Sequence, residues 1–353
     1  MKLACVLTGL FSLLATVSCT KTPDDPICRF EPLPASSETP AGQGGVQITA
    51  SADEYFYILD KTGKEVSHAR LNMSASAKPG SYTAKLNNSS HPVQVRENTL
   101  TKCSAGSVVL RGNTDEYYYV LDSTQHEMAH NKLGTGLAFF PGKYTLQVNN
   151  TPQELEVKPG AITDVQAGVL TVPGSTDEYY YVLDSTGREL AHQKLSRPLA
   201  FLPAAATVKV NNTSAPVQIT AGALVELKTG ALLVHGTTDE YYYVFGAAGN
   251  ELAHNKLESP LSFVEGDYTV KLNNAAMPVK AEAGKTNEYQ TATLSVKSGG
   301  DQYYYVLDRN GTELGHNKVN APLAFPEGAY SVKLVNETRP VSLTAGKVTA
   351  VNW

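Results

Sequence analysis

The chain of 353 residues lacks the features that mark several large classes of protein. Its 29 lysines and arginines are fewer than its 34 aspartates and glutamates, which gives a net charge of −5 with both signs interspersed. A nucleic-acid-binding protein normally has a basic face, so we expect no nucleic-acid partner. The apolar run at residues 3–17 is too short to span a membrane comfortably, and the rest of the chain shows no helical period.

Catalytic signatures are missing as well. The sequence has no Gly-x-Ser-x-Gly nucleophile elbow, no phosphate-binding loop and no dinucleotide-binding fingerprint. Catalysis needs one group of unlike residues arranged around a reacting centre, and the chain contains none of the patterns that would indicate such a group. We therefore predict no enzyme activity, no catalytic residue, no metal and no cofactor.

What the chain does contain is one segment repeated five times. Asp-Glu-Tyr-(Tyr/Phe)-Tyr begins at Asp53, Asp115, Asp177 and Asp239, and Asp-Gln-Tyr-Tyr-Tyr begins at Asp301. The same spacing of 62 residues separates His68, His130, His192, His254 and His316. Self-similarity at a fixed period indicates an array of like units. We place repeats 1 to 5 at residues 45–106, 107–168, 169–230, 231–292 and 293–353.

Each repeat has the pattern of a small β domain. Short runs rich in aromatic and β-branched residues alternate with turn signals every eight to twelve residues. This predicts an all-β fold, with five tandem β-sandwich-like repeats in an elongated array. A five-bladed β-propeller is the alternative, and its last strand would have to close a ring with repeat 1.

Two polar segments of the repeat are explained by local structure alone. Asp115-Glu116 and its copies suit a turn followed by the start of a strand, and they lack the dense oxygen pattern that calcium requires. Asn149-Asn150-Thr151 suits a tight hairpin, because asparagine tolerates positive φ angles. We interpret both as turn chemistry.

The aromatic strand separates into two faces, because successive side chains of a strand point in opposite directions. The middle aromatic residue is Phe56, Tyr118, Tyr180, Tyr242 or Tyr304. Phenylalanine replaces tyrosine in this row without loss of the pattern, so we expect the row to point into the core. The flanking tyrosines share the opposite face.

The flanking tyrosines and the His-Asn-Lys segment are candidate ligand-binding residues. Aromatic rings with polar neighbours could form a platform for a sugar or for a partner protein. The candidates are Tyr117, Tyr119, His130, Lys132, Tyr179, Tyr181, His192, Lys194, Tyr241, Tyr243, His254, Lys256, Tyr303, Tyr305, His316 and Lys318. The other interpretation is a packing surface, with the histidine hydrogen-bonded between strands or across the joint to the next repeat.

One segment matches a zinc-protease motif by its letters. His126-Glu127-Met128-Ala129-His130 has the form HExxH, which holds zinc only when the segment is helical. Here the segment has the pattern of a turn followed by a strand, and His126 occurs in one repeat only. We therefore predict that it binds no metal.

The N-terminal segment is typical of an export signal. Residues 1–18 carry one charge, at Lys2, ahead of the apolar run, and we predict a signal peptide. Ala15-Thr16-Val17-Ser18-Cys19 resembles the lipobox of bacterial lipoproteins, apart from Thr16. The resemblance implies cleavage before Cys19 and lipidation of Cys19; ordinary cleavage and a soluble secreted protein is the alternative.

The segment after the predicted cleavage site is rich in Pro, Ser, Thr, Asp and Gly. We predict that residues 19–44 form a lipid-anchored flexible tether. An exported protein meets an oxidising compartment, in which Cys28 and Cys103 could form a disulfide and pin the tether to repeat 1. The sequence leaves open whether the two cysteines approach each other.

The part of the repeat in which a proline–glycine turn precedes an alternating strand resembles the PEGA family of small bacterial and archaeal β-domains. Repeat 5 contains Pro326-Glu327-Gly328-Ala329-Tyr330 ahead of an alternating strand, and repeat 2 contains Pro141-Gly142-Lys143-Tyr144. The likeness covers about 25 residues of each repeat, and repeat 3 departs from it at Pro203-Ala204. It implies a β-sandwich-like module of envelope or secreted proteins that serves attachment or spacing and brings no catalytic residues.

These observations together predict a non-enzymatic, membrane-anchored envelope or surface lipoprotein that acts as a rigid structural or adhesive spacer. The alternative is a multivalent module that binds glycan or cell-wall polymer through the repeated tyrosines and His-Asn-Lys segments. The expected partners are the membrane, through the N-terminal lipid, and a surface glycan or another envelope protein. The expected location is the bacterial cell envelope, at the outer membrane or cell surface, with a secreted or periplasmic protein as the alternative.

Overall fold

The computed structural model describes residues 25–35 and 37–353, and the regular elements in these residues are all β-strands. The predicted signal peptide and Cys19 lie outside the described residues. None of the described residues belongs to a helix long and apolar enough to cross a membrane.

The chain divides into two compact units. The first comprises the described residues up to Arg111 together with Tyr117–Gln147 and Pro152–Val165. The second comprises Gly112–Glu116, Val148–Thr151 and Gln166–Trp353.

Each repeat consists of seven strands, and repeat 1 has an additional strand, β1, ahead of them. In repeat 1 the strands are β1 (Cys28–Pro32), β2 (Gly44–Thr49), β3 (Tyr55–Leu59), β4 (Glu65–Arg70), β5 (Ser74–Ala77), β6 (Gly80–Leu86), β7 (Ser89–Val95) and β8 (Thr99–Ser104). In repeat 2 they are β9 (Gly106–Arg111), β10 (Tyr117–Leu121), β11 (Glu127–Lys132), β12 (Leu137–Phe139), β13 (Gly142–Val148), β14 (Thr151–Val157) and β15 (Ile162–Gln166).

The later repeats follow the same order. Repeat 3 contains β16 (Gly168–Thr171), β17 (Tyr179–Leu183), β18 (Glu189–Lys194), β19 (Leu199–Phe201), β20 (Ala204–Val210), β21 (Thr213–Ile219) and β22 (Leu224–Glu226). Repeat 4 contains β23 (Thr229–His235), β24 (Tyr241–Phe245), β25 (Glu251–Lys256), β26 (Leu261–Val264), β27 (Gly266–Leu272), β28 (Ala275–Ala281) and β29 (Thr286–Gln290). Repeat 5 contains β30 (Ala292–Lys297), β31 (Tyr303–Leu307), β32 (Glu313–Lys318), β33 (Leu323–Phe325), β34 (Gly328–Leu334), β35 (Glu337–Leu343) and β36 (Val348–Asn352).

The seven strands of a repeat form two sheets that face each other. In repeat 3 a four-stranded antiparallel sheet has the order β18-β17-β20-β21, and a three-stranded sheet has the order β19-β16-β22. In the smaller sheet β16 pairs antiparallel with β19 and parallel with β22. Apolar side chains of both sheets, such as Leu170 and Val208, pack into one core. This is a small β-sandwich, as predicted, and a repeat with two sheets is not the single-sheet blade of a propeller.

The middle row of the aromatic strand lies in the core, which confirms the prediction from the period of two. The side chains of Phe56 and of its four tyrosine counterparts are fully buried. The Tyr180 hydroxyl donates to the carbonyl of Arg197 at 2.7 Å, so the buried polar atom has a partner. Burial, and after it the Glu116 carboxylate, raises the pKa of Tyr180, which keeps the hydroxyl a neutral donor.

Part of the predicted flexible tether is a strand. Residues of β1 pair antiparallel with β8, and Cys28 lies opposite Cys103. The two sulfur atoms are 2.06 Å apart in a disulfide. The prediction of a flexible segment at residues 19–44 is therefore wrong for Cys28–Pro32, because main-chain pairing and a covalent link hold this stretch on the edge of the sheet.

Candidate functional site

The predicted ligand-binding residues lie together on the outer face of each four-stranded sheet. In repeat 2, Tyr117 lies opposite Lys132 and Tyr119 lies opposite His130. The flanking tyrosines are 37% to 47% exposed in all repeats, except for the more covered Tyr243. Each repeat therefore presents the same group of aromatic and polar side chains, which we call the tyrosine patch.

The repeated histidine of the tyrosine patch lies between two aromatic rings. The His130 ring is 5.7 Å from the Tyr117 ring and 5.4 Å from the Tyr119 ring, measured between centroids. Its Nδ1 atom is 2.6 Å from Oε1 of Glu127, three residues earlier on the same strand. The interpretation of a histidine hydrogen-bonded between strands or across the joint to the next repeat is wrong for His130, because its hydrogen-bond partner is Glu127 of its own strand and the two rings beside it belong to the adjacent strand of the same sheet.

The charges of the tyrosine patch occur in pairs. Nζ of Lys194 is 2.6 Å from Oδ1 of Asp177, and the same pair occurs as Lys256–Asp239 at 2.8 Å and Lys318–Asp301 at 3.0 Å. The hydrogen bond to Asp177 raises the pKa of Lys194. Because each of these lysines is paired with an aspartate and each histidine is hydrogen-bonded to a glutamate, the patch is rich in hydrogen-bonding groups.

The HExxH segment has the form of a turn and a strand, as predicted. Gln125 adopts a φ of 66° in the turn, and Glu127–Lys132 is strand β11. Among the described residues, one cluster has suitable ligand atoms close together for a metal, namely Asp25, Cys28 and His91. The Cys28 sulfur is bonded to Cys103 and is no thiolate, so the residues that remain are the Asp25–His91 pair at 3.0 Å.

The most highly organised polar site is one that the sequence analysis missed. Oε2 of Glu178 accepts a hydrogen bond from the backbone N–H of Ser262 at 2.6 Å. The side-chain amide of Asn211 donates to the carbonyl of the same Ser262 at 2.8 Å and to Oε1 of Glu178 at 2.6 Å. Glu178 and Asn211 of repeat 3 thus bind both polar groups of one residue in repeat 4. We call this pair of side chains the peptide clip.

The peptide clip occurs four times with the same geometry. Its copies are Glu54 with Asn87 on Ala138, Glu116 with Asn149 on Ala200, Glu178 with Asn211 on Ser262, and Glu240 with Asn273 on Ala324. Each copy lies within one of the two compact units. The earlier interpretation of these acids and asparagines as turn residues was therefore incomplete.

The residue that the clip binds lies on an edge strand. Ser262 belongs to β26, which lies at the edge of the sheet β26-β23-β29. The outward N–H and C=O groups of an edge strand have no partner within their own sheet. The carboxylate and the amide supply those partners. Burial raises the pKa of the Glu54 carboxyl, whereas the hydrogen bonds from Asn87 and the Ala138 N–H lower it.

The hairpin that carries the clip asparagine makes further contacts to the same neighbour. The Thr213 hydroxyl accepts a hydrogen bond from the N–H of Val264 at 3.1 Å, and Asn212 donates to the carbonyl of Leu252 at 2.7 Å. Apolar packing also crosses the joint in the first unit, where Ala138 and Phe140 belong to the core cluster of repeat 1. The joint is thus both polar and apolar.

The sequence did contain a signal for the clip. The glutamate of the motif is present in repeats 1 to 4 and is Gln302 in repeat 5. At the clip asparagine, repeat 5 has Val335. A residue needed only for the turn would be expected in repeat 5 as well. The loss of the glutamate and the asparagine from the last repeat therefore indicates that in repeats 1 to 4 they contact the following repeat.

Comparison with known proteins adds little to this picture. Neither a family model nor a curated protein matches the chain. Among solved structures it is similar to the Bacillus anthracis TIE protein, with 11% identity, a TM-score of 0.17 and coverage of 95% of this chain and 75% of that one. It is similar also to BcpA, the major pilin subunit of Bacillus cereus, with 10% identity, a TM-score of 0.17 and coverage of 88% and 98%. Likenesses at this level carry no argument about function.

Replacement of Glu178 by alanine tests the clip. The change leaves the Ser262 N–H without its acceptor and removes one of the two acceptors of the Asn211 amide, and we expect the joint to lose about 2 kcal/mol. Hydrogen exchange of the Ser262 amide measures this loss as faster exchange. Asp177→Asn is the matched control, because its exposed pair with Lys194 contributes little. Equal exchange in the two variants would show that the clip does not hold the joint.

Proposed function

We propose that this chain is a non-enzymatic, membrane-anchored envelope or surface lipoprotein that acts as a structural or adhesive spacer. The observation that carries the proposal is the peptide clip. A spacer needs neighbouring modules that keep a fixed orientation, and each clip binds both the backbone N–H and the backbone C=O of one residue in the next repeat. A hinged string of domains would instead have few contacts between modules.

Shared packing supports the same role. Ala324 of repeat 5 lies in the core cluster of repeat 4, and Ala275 of repeat 4 lies in that of repeat 5. A bend at this joint would break hydrogen bonds and expose apolar surface at once. Joints of this kind favour stiffness over flexibility.

The location rests on the N-terminal sequence. The predicted signal peptide and the lipobox-like segment support export and lipidation at Cys19, and we therefore propose a location in the envelope, at the outer membrane or cell surface. Acyl chains on Cys19 would anchor the chain without a spanning segment. The resemblance to PEGA domains fits the same setting.

Paired spin labels test the fixed orientation of neighbouring repeats. Ser185→Cys and Ala247→Cys place labels on equivalent exposed turns of repeats 3 and 4, which belong to the same unit. We expect one narrow distance distribution by double electron–electron resonance, and a broad one when Glu178→Ala is added. Asp177→Asn serves as the control and should leave the distribution narrow. A broad distribution without any change at Glu178 would exclude the spacer role.

Replacement of Cys19 by serine tests the anchor. We expect the variant to lose incorporation of a labelled fatty acid and to leave the membrane fraction, because the thiol is the acceptor of the lipid. Cys5→Ser lies within the predicted signal peptide and should retain both properties. Labelling that persists in the Cys19 variant would rule out this lipid site.

The tyrosine patch favours a second function, as a multivalent module for neutral glycan or cell-wall polymer. Half-exposed rings suit the apolar faces of sugars, and the ion pairs offer donors and acceptors to hydroxyl groups. One weak site in each repeat would gain affinity through avidity. The flanking tyrosines also stabilise the sheet as cross-strand pairs, so binding needs a direct test.

Binding to soluble peptidoglycan fragments and a panel of neutral oligosaccharides provides that test. We expect the chain to bind one of them, and alanine at Tyr57, Tyr119, Tyr181, Tyr243 and Tyr305 to weaken binding at least tenfold. Thr186→Ala, at an exposed turn away from the patch, is the control. No binding at millimolar concentration, or equal binding by the variant, would remove this function.

A further inference from the structure

Repeat 5 keeps the fold of the other repeats but lacks the side chains of the peptide clip. Gln302 stands at the place of the glutamate and is exposed, whereas the four clip glutamates are partly buried. Val335 stands at the place of the asparagine and is 59% exposed. The pair cannot reproduce the clip, because glutamine has one acceptor oxygen in place of the two that the glutamate uses and valine has no amide to donate.

Repeat 5 keeps the hairpin backbone of the other repeats at Val335, although the clip asparagine is absent there. Val335 has a φ of 54°, close to the 52° of Asn273 at the same place in repeat 4. A positive φ is strained for a β-branched residue, whereas asparagine tolerates it. The substitution to valine therefore follows no local backbone preference, and what it removes is the amide donor.

The third contact of the joint is also redirected in repeat 5. Glu337 stands where Thr151 and Thr213 accept a hydrogen bond from the following repeat. Its carboxylate instead binds Nε of Arg339 at 2.7 Å and the indole N–H of Trp353 at 3.0 Å. The Arg339 guanidinium lies 4.2 Å from the centre of the Trp353 ring. Side chains of repeat 5 itself thus occupy the group at a place where repeats 2 and 3 bind the next repeat through a threonine hydroxyl and repeat 4 packs Ala275 into the core of repeat 5.

In repeat 1, residues that follow β1 cover the face that in repeat 2 contacts the preceding repeat. Gly45 and Ser76 are the counterparts of Ser107 and Ala138, through which repeat 2 contacts repeat 1. A Cβ atom at Gly45 would lie 3.3 Å from the Leu33 side chain, and the Ser76 hydroxyl is 3.5 Å from that of Thr39. Residues that follow β1 thus lie where a preceding repeat would dock.

We propose that the peptide clip is the recognition element between repeats and that repeats 1 and 5 carry built end caps in its place. The partner that the clip fits is one residue on the edge strand of a following repeat of this type, whose backbone N–H and C=O both face outward. The face of repeat 5 does not bind such an edge, because Gln302, Val335 and Glu337 have replaced its three contacts. This inference does not depend on the spacer role or on glycan binding.

Transplanting the cap residues into an internal joint tests the proposal in the full chain. Glu240→Gln with Asn273→Val gives repeat 4 the pair found in repeat 5. We expect the Ala324 amide, now clipped by Glu240, to exchange at least tenfold faster. The Ser262 amide, held by the unchanged clip of repeat 3, is the control within the same molecule. Unchanged protection of Ala324 would overturn the proposal.

The reverse change distinguishes the loss of a specific contact from a general loss of stability. A second copy of residues 293–353 is fused after Trp353, with or without Gln302→Glu, Val335→Asn and Glu337→Thr in the first copy. We expect the added counterpart of Ala324 to be protected at least tenfold more in the restored chain than in the unrestored one. Ala324 itself should stay protected in both. Equal protection of the added amide in both chains would show that these residues form no cap.

Discussion

The backbone N–H and C=O groups of one edge-strand residue, held by a carboxylate and an amide of the preceding repeat, form the contact on which the order of the repeats depends. An edge strand offers such groups along its whole length, and any similar strand could pair with them. The clip binds one of them at a defined residue, as in Glu178 and Asn211 on Ser262. Register between repeats is thereby fixed to a single position, which a purely apolar contact could not achieve.

The size of the repeat explains why such joints are valuable. A sandwich of about 60 residues buries a smaller fraction of its surface than a larger domain does and is marginally stable alone. The cores of neighbours supplement one another, as Phe140 does for repeat 1 and Ala324 for repeat 4. Stability of the array then resembles that of a linear repeat protein, in which each element depends on the next. The clip and the shared side chains act on the same joint.

The sequence predicted the sandwich and its aromatic faces because both follow from a period of two repeated in five copies. It did not predict the clip, because the clip binds the backbone N–H and C=O of its target residue and not the side chain. Ala138, Ala200, Ser262 and Ala324 recur at the centre of a Leu-(Ala/Ser)-Phe segment, but their small side chains give no sign that the backbone is bound. A glutamate beside a turn also has an adequate local explanation. The only trace was a substitution confined to the last repeat.

Strand β1 escaped prediction for a related reason. Cys-Arg-Phe-Glu-Pro has no clean alternation, and Pro32 argues against a central strand. Its place at the sheet edge opposite β8 permits the proline, and its partner lies some 70 residues further along the chain. The candidate patch residues were found together because they lie on adjacent strands of one hairpin. Contacts between distant segments carry no comparable local signal.

The Cys28–Cys103 bond has a mechanical consequence. In a chain tethered at its N-terminus and pulled from the far end, tension passes from Cys28 through the sulfur atoms to Cys103. Residues 29–102, which contain most of repeat 1, then lie in a closed covalent loop that bears no load. The domain next to the tether is shielded from force for as long as the bond is oxidised, and reduction would add its unfolding length to the extensible chain.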